Sequence, residues 1–226
     1  MSARIYEERP SDSPYIEKIG RFYVEGAYSH TCPADVSSNI LIVKYKGKSC
    51  FSVWGPEIKA GLMCYPDDTE FLFIRFKLGS FMPHFCVKNL VNTGIILPQA
   101  NGDTFWLDGS AWQIPNYENV DTFIEWLVGE GLLVHDPVVD DVVQAQPHDL
   151  SLRSAQRRLV QATGLTLSTI TQIERARHAL TLLERGVSIL DTVFEAGYFD
   201  QSHLTRSMRQ FVGQTPAQIA RANQPE

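Results

Sequence analysis

The chain has 226 residues, 44% of them hydrophobic and 20% charged, with a formal net charge of −6. This length and apolar content suit two compact domains. No segment approaches the ~18 consecutive apolar residues of a membrane span, and the polar N-terminus lacks a signal-peptide core, so we expect neither a membrane protein nor a secreted one. The four cysteines share no disulfide or zinc-finger spacing, which favours the reduced cytoplasm as the compartment.

The first half of the chain, from about residue 21 to residue 108, is typical of short β-strands. Residues 40–45 and 50–54 are β-rich runs that the segment 46–49 joins into a plausible hairpin, and residues 71–78 alternate as a strand after a turn at 65–68. Many short strands with aromatic filling predict a compact sandwich or open barrel. The aromatic side chains either line an apolar ligand pocket or form plain core.

Two His-x-Cys pairs lie in this half, His30 with Cys32 and His84 with Cys86. On strands each pair faces one side, and four such ligands would suit zinc. Cysteine is also a common small core residue, and no spacing rule links the two pairs. We therefore expect no metal and keep the four residues as the alternative.

An amphipathic helix is predicted next, because apolar residues recur at i, i+3, i+4, i+7 and i+8 from Val120 to Val128. Extended to Leu133, this helix presents a continuous apolar stripe. The stripe either contributes to a dimer contact or packs onto a later helix, and residues 40–45 offer a β edge for pairing across a two-fold axis.

Residues 137–164 predict a first helix-turn-helix. Asp136 and Pro137 form a helix-start pair, and Ser151 is an N-cap for a second helix that turns Ala155 and Leu159 inward. Its outer face carries Arg153, Gln156 and Arg157. A connecting helix from 167 to 184, about 25 Å long, follows with an apolar stripe of Ile173, Ala176, Leu180 and Leu183.

Residues 188–213 predict a second helix-turn-helix. Ser188 caps a short helix with Ile189, Val193 and Phe194 inward, Gly197 ends it, and Asp200 caps the next helix. That helix has an apolar face of Leu204, Met208, Phe211 and Val212. The opposite face carries Gln201, Ser202, Thr205, Arg206 and Arg209. Reading a major groove needs such a face, since Arg pairs with guanine and Gln with adenine.

The charge is divided between the two parts of the chain. Residues 150–226 hold nine Arg, no Lys and six acidic residues, a net of +3, whereas residues 1–149 have a net of −9. The positive charge therefore lies where DNA reading is predicted.

At this point the C-terminal 80 or so residues resemble the AraC/XylS family of bacterial transcription regulators. The matching residues are Ser151, Arg153, Gln156, Arg157, Gly164, Arg175, Ala179, Leu182, Leu183, Ile189, Gly197, Tyr198, Ser202, His203, Arg206, Gly213, Thr215 and Pro216. The resemblance implies that both recognition helices contact bases. It also implies a small cupin-like sensory domain ahead of them, on a much weaker match around residues 54–56 and 76–79.

We therefore expect an α+β fold with a β-rich sensor or dimerisation domain at 1–118 and an all-α double helix-turn-helix domain at 119–226. The expected function is sequence-specific binding of double-stranded DNA as a transcription regulator, responsive to a small-molecule effector of unknown identity. We expect a homodimer formed by the N-terminal half. No recognisable set of acid–base or nucleophilic residues supports an enzyme, and no cofactor is expected.

One alternative stays open: a partner-binding regulatory protein whose helix-turn-helix is degenerate and has little DNA affinity. Its support is Thr192 and Val193, where the family has a larger apolar residue and a small alanine.

Overall fold

The computed structural model describes residues 4–222, and their side chains from residue 6 onward. The strands in this range are β1 (Arg4–Arg9), β2 (Ile16–Val24), β3 (Tyr28–Cys32), β4 (Asn39–Tyr45), β5 (Lys48–Trp54), β6 (Gly61–Tyr65), β7 (Thr69–Phe76), β8 (Ser80–Phe81), β9 (Gly94–Ile96), β10 (Thr104–Leu107), β11 (Ser110–Gln113) and β12 (Val134–His135). The α-helices are α1 (Val120–Gly129), α2 (Pro137–Val143), α3 (Leu152–Thr163), α4 (Leu167–Glu184), α5 (Ile189–Glu195), α6 (Gln201–Phe211) and α7 (Pro216–Ala222). This order confirms the predicted β-rich region followed by a helical region.

The predicted hairpin joins β4 and β5 through a two-residue turn. Lys46 and Gly47 both have positive φ, 49° and 71°, and Tyr45 pairs with Lys48. Two left-handed residues give the turn the twist that adjacent antiparallel strands need. The turn is shorter than the predicted segment 46–49, because Lys48 and Ser49 already belong to β5.

A six-stranded antiparallel sheet, in the order β1-β2-β7-β4-β5-β9, organises the first half. Strand β4 lies inside this sheet, paired with β5 on one side and β7 on the other. Its backbone groups are therefore used, and the expectation that residues 40–45 form a free edge is wrong. The edges of the sheet are β1 and β9. The cupin-like identity of this region stays a prediction.

Helix α1 packs on one face of the sheet and completes its hydrophobic core. Val120, Phe123, Ile124 and Leu127 are buried in one cluster with residues of β2, β4, β5 and β7. The ring of Phe123 meets the ring of Phe51 edge-on at 5.9 Å between centroids. The apolar stripe of α1 was expected either to form a dimer contact or to pack onto a later helix. Both expectations are wrong, because the stripe packs against the sheet. The helix also ends at Gly129 rather than at 133.

The chain divides into two compact units. The sheet unit contains residues up to Tyr28, Ser37–Pro56 and Cys64–Leu165, and so includes α1, α2 and α3. The helical unit contains Ser29–Val36, Glu57–Met63 and the chain from Thr166 onward. A domain boundary between 118 and 119 falls inside the sheet unit and stays a prediction. Among residues 4–222 we find no helix with the length and apolar content needed to cross a membrane.

Candidate nucleic-acid interface

The first helix pair, α2 and α3, is fixed by two caps and one ion pair. The Asp136 carboxylate accepts from the Val138 N–H at 3.0 Å, and Ser151 Oγ accepts from the Ser154 N–H at 3.2 Å, as predicted. Arg158 donates from Nε and Nη2 to the two oxygens of Asp136, at 2.7 and 2.6 Å. This bidentate contact ties α3 to the start of α2 and holds the Arg158 guanidinium there.

The outer face of α3 carries the side chains predicted to read DNA. Ala155 and Leu159 are buried, as expected. Arg153, Gln156 and Arg157 are exposed on the other side of the helix. Their contact with bases stays a prediction.

The second helix pair, α5 and α6, has the same kind of caps. Ser188 Oγ accepts from the Asp191 N–H at 3.1 Å, and the Asp200 carboxylate accepts from the His203 N–H at 2.6 Å. The hydroxyls of Tyr198 and Ser207 lie 2.8 Å apart and link the turn to α6. Burial raises the pKa of Tyr198, so this phenol stays protonated at neutral pH.

Helix α6 has the two faces predicted from its sequence. Leu204, Met208 and Phe211 are buried, and Val212 directly after the helix is buried as well. A shallow concavity on the outer face is lined by four of the predicted residues, Gln201, Ser202, Thr205 and Arg206. Arg209 is exposed but lies outside this concavity. The Thr205 hydroxyl donates to the Gln201 carbonyl at 2.8 Å, so its hydroxyl hydrogen is already used within the helix.

Helix α5 departs from the prediction at Phe194, which is 73% exposed instead of facing inward. Thr192, Val193 and Ala196 are the buried residues of this segment. Successive residues turn by about 100° around an α-helix, so burying Thr192 directs a residue two positions later to the opposite side. The connecting helix shows a smaller shift, because Ala179 and Leu182 are buried and Leu180 is only half-buried.

The Thr192 hydroxyl is buried and finds no hydrogen-bond partner among residues 4–222. A buried hydroxyl without a partner is destabilising, so Thr192→Val should raise the free energy of unfolding by about 1 kcal/mol. Thermal denaturation of the full chain measures this. Thr166→Val is the matched control and should destabilise, because the Thr166 hydroxyl caps α4 by accepting from the Thr169 N–H at 3.2 Å. A lower melting temperature for Thr192→Val would contradict the prediction.

The two recognition helices are related by a constant offset of 49 positions in the sequence. The offset pairs the caps Ser151 and Asp200, and it pairs Arg157 with Arg206. It also pairs the buried residues of α3 with those of α6, and Gly164 with Gly213. At the first helical position it pairs Leu152, which is 72% exposed, with Gln201. Sequence analysis missed Leu152 because it is apolar, although this offset identifies it.

The two His-x-Cys pairs lie in different units, His30 and Cys32 in the helical unit and His84 and Cys86 in the sheet unit. Cys32 Sγ lies 3.2 Å from His30 Nε2, whereas His84 pairs with Asp108 at 3.2 Å. Among residues 4–222 no group of three or more His, Cys, Asp or Glu side chains could hold a metal ion. The zinc alternative for His30, Cys32, His84 and Cys86 stays a prediction.

A cleft of about 650 Å³ opens at one end of the core face of the sheet. Its floor includes the buried side chains of Ile42 and Leu72. Its charged lining residues are Glu7, Arg21, Lys44, Glu70, Asp103 and Glu118. Of the aromatic residues of the first half, Phe51 and Phe76 lie in the main core cluster and do not line the cleft.

Two side chains of the cleft are held by their neighbours. The Arg21 guanidinium bonds to Glu7 at 2.8 Å and to Glu118 at 3.0 Å, and lies 4.4 Å from the centroid of the Tyr117 ring. The Tyr23 hydroxyl donates to Asp68 at 2.7 Å, which raises the pKa of Tyr23 to about 12. The cleft therefore combines an apolar floor with a fixed, mostly acidic rim.

Three crystal structures of ToxT from Vibrio cholerae are similar to this chain. One has 10% sequence identity and a TM-score of 0.39, with 95% of this chain and 97% of that chain covered. A second, from Vibrio cholerae O395, has 9% identity and a TM-score of 0.39, with coverage of 98% and 99%. A third, also from Vibrio cholerae O395 and bound to (E)-4-(8-methylnaphthalen-1-yl)but-3-enoic acid, has 11% identity, a TM-score of 0.38 and 99% coverage of both chains. A search of the curated proteins finds no match.

A family model described as a helix-turn-helix domain matches residues 145–222. This range includes α3 through α7, and so both recognition helices. It confirms the resemblance found in the sequence. The chain therefore carries a helix-turn-helix domain at residues 145–222.

Proposed function

We propose that this protein is a sequence-specific transcription regulator that reads duplex DNA through the outer faces of α3 and α6. The observation that carries the proposal is the pair of capped recognition helices, each with a buried apolar face and an exposed face of Arg and polar side chains. Such faces match base edges in the major groove, and exposed arginines also bind phosphates. Helix α3 would contribute Arg153, Gln156 and Arg157, and α6 would contribute Gln201, Ser202, Thr205, Arg206 and Arg209.

Footprinting of the full chain on its own upstream DNA tests this function. Two recognition helices should protect two consecutive major grooves on one face of the duplex. Arg157→Ala should weaken protection over one groove, and Arg206→Ala should weaken protection over the other. Absence of any specific footprint would instead support the partner-binding alternative, whose support is the departure from the family pattern at Thr192 and Val193.

Leu152 provides a test of how α3 reads its half-site. Its exposed side chain lies in the first turn of α3. The apolar group that the major groove presents to such a side chain is the C5-methyl group of thymine. Replacing thymine with deoxyuridine in the half-site bound by α3 should weaken wild-type binding about 3- to 5-fold, the value of one buried methyl group. Leu152→Ala should bind both DNAs equally. Unchanged wild-type binding to the deoxyuridine duplex would contradict this role.

The cleft of the sheet unit supports effector responsiveness. We place the effector there because the cleft has the size of a small-molecule site and combines an apolar floor with convergent polar groups. Four carboxylates against two cations favour a polar or positively charged molecule over an anion. Calorimetric titration with small cationic and anionic molecules tests the assignment. Binding of anions alone would contradict it.

We further propose that the N-terminal half forms a homodimer, since two copies raise the affinity for a paired operator. Strand β4 and the stripe of α1 are both buried, so we choose β9, one of the two edge strands of the sheet, as the contact to test. Ile96 at its end is 67% exposed. Sedimentation of the full chain should show a dimer that Ile96→Lys weakens. A wild-type monomer at tens of micromolar would exclude dimerisation in free solution.

A further inference from the structure

Two short segments of the first half of the chain belong to the helical unit, residues 29–36 and 57–63, and we call them the brace. They are joined to each other at Asp35 and Glu57, whose backbones exchange N–H to carbonyl bonds of 2.8 Å in both directions. The brace is therefore one small structural element, although its two segments are separated by strands β4 and β5 in the sequence.

The brace binds the C-terminal end of α6. The carbonyl of Phe211 accepts from the Ala34 N–H at 2.7 Å, and the carbonyl of Gln210 accepts from the Ala60 N–H at 2.9 Å. The last four carbonyls of any α-helix lack partners in the regular hydrogen-bond pattern. At α6 the brace supplies the donors for two of them.

Close packing accompanies these bonds at Gly213. This residue has φ of +80°, and a Cβ added to it would lie 2.5 Å from Thr31 Cγ2 and 3.1 Å from Ala60 Cβ. The brace thus approaches the end of α6 at a distance that only glycine permits. It also reaches α4, where Arg177 Nη1 lies 3.5 Å from Asp35 Oδ1.

We propose that the brace positions the second recognition helix, so that DNA reading by α6 depends on residues of the N-terminal half. This inference rests on the proposed function. The brace fixes the end of α6 relative to α4 through two backbone bonds, the Gly213 contact and the Arg177 pair. Without it the last turn of α6, which carries Arg209, loses two hydrogen bonds. Ordering the helix again on DNA then costs affinity at one half-site only.

The chain also connects the brace covalently to the sheet. Residues 29–36 lie between β2 and β4 in the sequence, and residues 57–63 lie between β5 and β7. Strands β4, β5 and β7 carry residues of the cleft, among them Ile42, Ser49 and Leu72.

Gly213→Ala tests the proposal, with Gly186→Ala as its control. Both glycines follow a helix of the same unit and have nearly equal φ, +80° and +83°, but a Cβ at Gly186 meets nothing within 4 Å. Backbone strain is therefore matched, and only Gly213→Ala displaces the brace. We expect Gly213→Ala to bind the operator about 5- to 10-fold more weakly than Gly186→Ala, the effect of about one lost hydrogen bond. Footprint protection should fall only over the groove read by α6.

Hydrogen exchange and a rescue variant separate positioning from loss of folding. The amides of Ala34 and Ala60 should exchange slowly in the wild type and about 10-fold faster in Gly213→Ala. Adding Thr31→Ser removes the methyl group that a Cβ at 213 would meet at 2.5 Å and should restore both exchange protection and affinity. An unfolded Gly213→Ala that Thr31→Ser does not restore would overturn the proposal. Equal footprints for Gly213→Ala and Gly186→Ala would overturn it as well.

Failure of the proposed function would look different. If the wild-type chain gives no specific footprint but the amides of Ala34 and Ala60 exchange slowly, the proposed DNA function is wrong and the brace contact still exists. If these two amides exchange fast in a wild-type chain that binds its operator, only the proposal that the brace positions α6 is contradicted.

Discussion

Replacing Arg206 with alanine is expected to weaken binding to a specific operator by about 1–3 kcal/mol, or about 5- to 150-fold. The side chain is exposed on the outer face of α6, beside Gln201 and Thr205 in the concavity, and away from the buried Leu204 and Met208. An arginine there can donate two bonds to one guanine. Fluorescence anisotropy with a labelled operator duplex measures the loss.

The control is Arg185→Ala, which removes the same charge from an exposed position at the end of α4. It should reduce affinity only slightly and equally for all sequences, as a general electrostatic effect. Random-sequence DNA separates the two kinds of contact. If Arg206→Ala weakens random and specific DNA equally, Arg206 binds phosphate and reads no base.

Phe123→Ala is expected to lower the free energy of unfolding by about 3–5 kcal/mol. The ring is 3% exposed and contacts Phe51, Phe105 and Trp112 edge-on, with centroids 5.9–6.3 Å apart. Removing it leaves a cavity at the centre of the sheet unit, because the stacked rings of Phe51 and Phe105 cannot fill the space without losing their own contacts. Urea denaturation followed by circular dichroism measures the change.

Trp126 provides the comparison on the same helix. It is 59% exposed, so Trp126→Ala should cost less than about 1 kcal/mol. Similar losses for Phe123→Ala and Trp126→Ala would mean that α1 does not complete the core. The burial of α1 also predicts that a fragment ending at residue 118 fails to fold, since it lacks this helix.

Local signals explain which elements the sequence could predict. The connecting helix runs from Leu167 to Glu184, as expected, because Thr166 caps its start and its apolar residues recur at helical spacing. Each of the caps Ser151, Ser188 and Asp200 accepts a hydrogen bond from the backbone N–H three positions later in the sequence. Such contacts depend on residues two or three positions apart and need no knowledge of the rest of the chain.

Long-range packing explains the errors. The apolar stripe of α1 showed that the helix must pack against another surface but not which one, and the structure packs it into the core of the sheet. At α5 the apolar character of Phe194 predicted an inward position, but packing buries Thr192 and Ala196 and leaves Phe194 exposed. The brace contacts α6 through backbone groups of residues 150 positions apart (Ala60 and Gln210) and 177 positions apart (Ala34 and Phe211), and backbone groups leave no pattern of side chains to detect.

The outer faces of α3 and α6 could be predicted because each lies opposite the buried apolar face of the same helix. Once Leu204 and Met208 are directed inward, helical geometry directs Arg206 outward whatever its partner is. Leu152 escaped prediction since its position, and not its chemistry, identifies it as part of the outer face of α3.

The helical unit includes the brace, two segments from the first half of the sequence, and this limits how the helices can be fused to another protein. A chimaera that joins residues 119–226 to a foreign sensor would carry α6 without the donors that Ala34 and Ala60 provide. Such a fusion needs residues 29–36 and 57–63 to be transplanted together with the helices. We therefore expect a substitution in one of the two brace segments to be tolerated best when a compensating substitution is made at the end of α6.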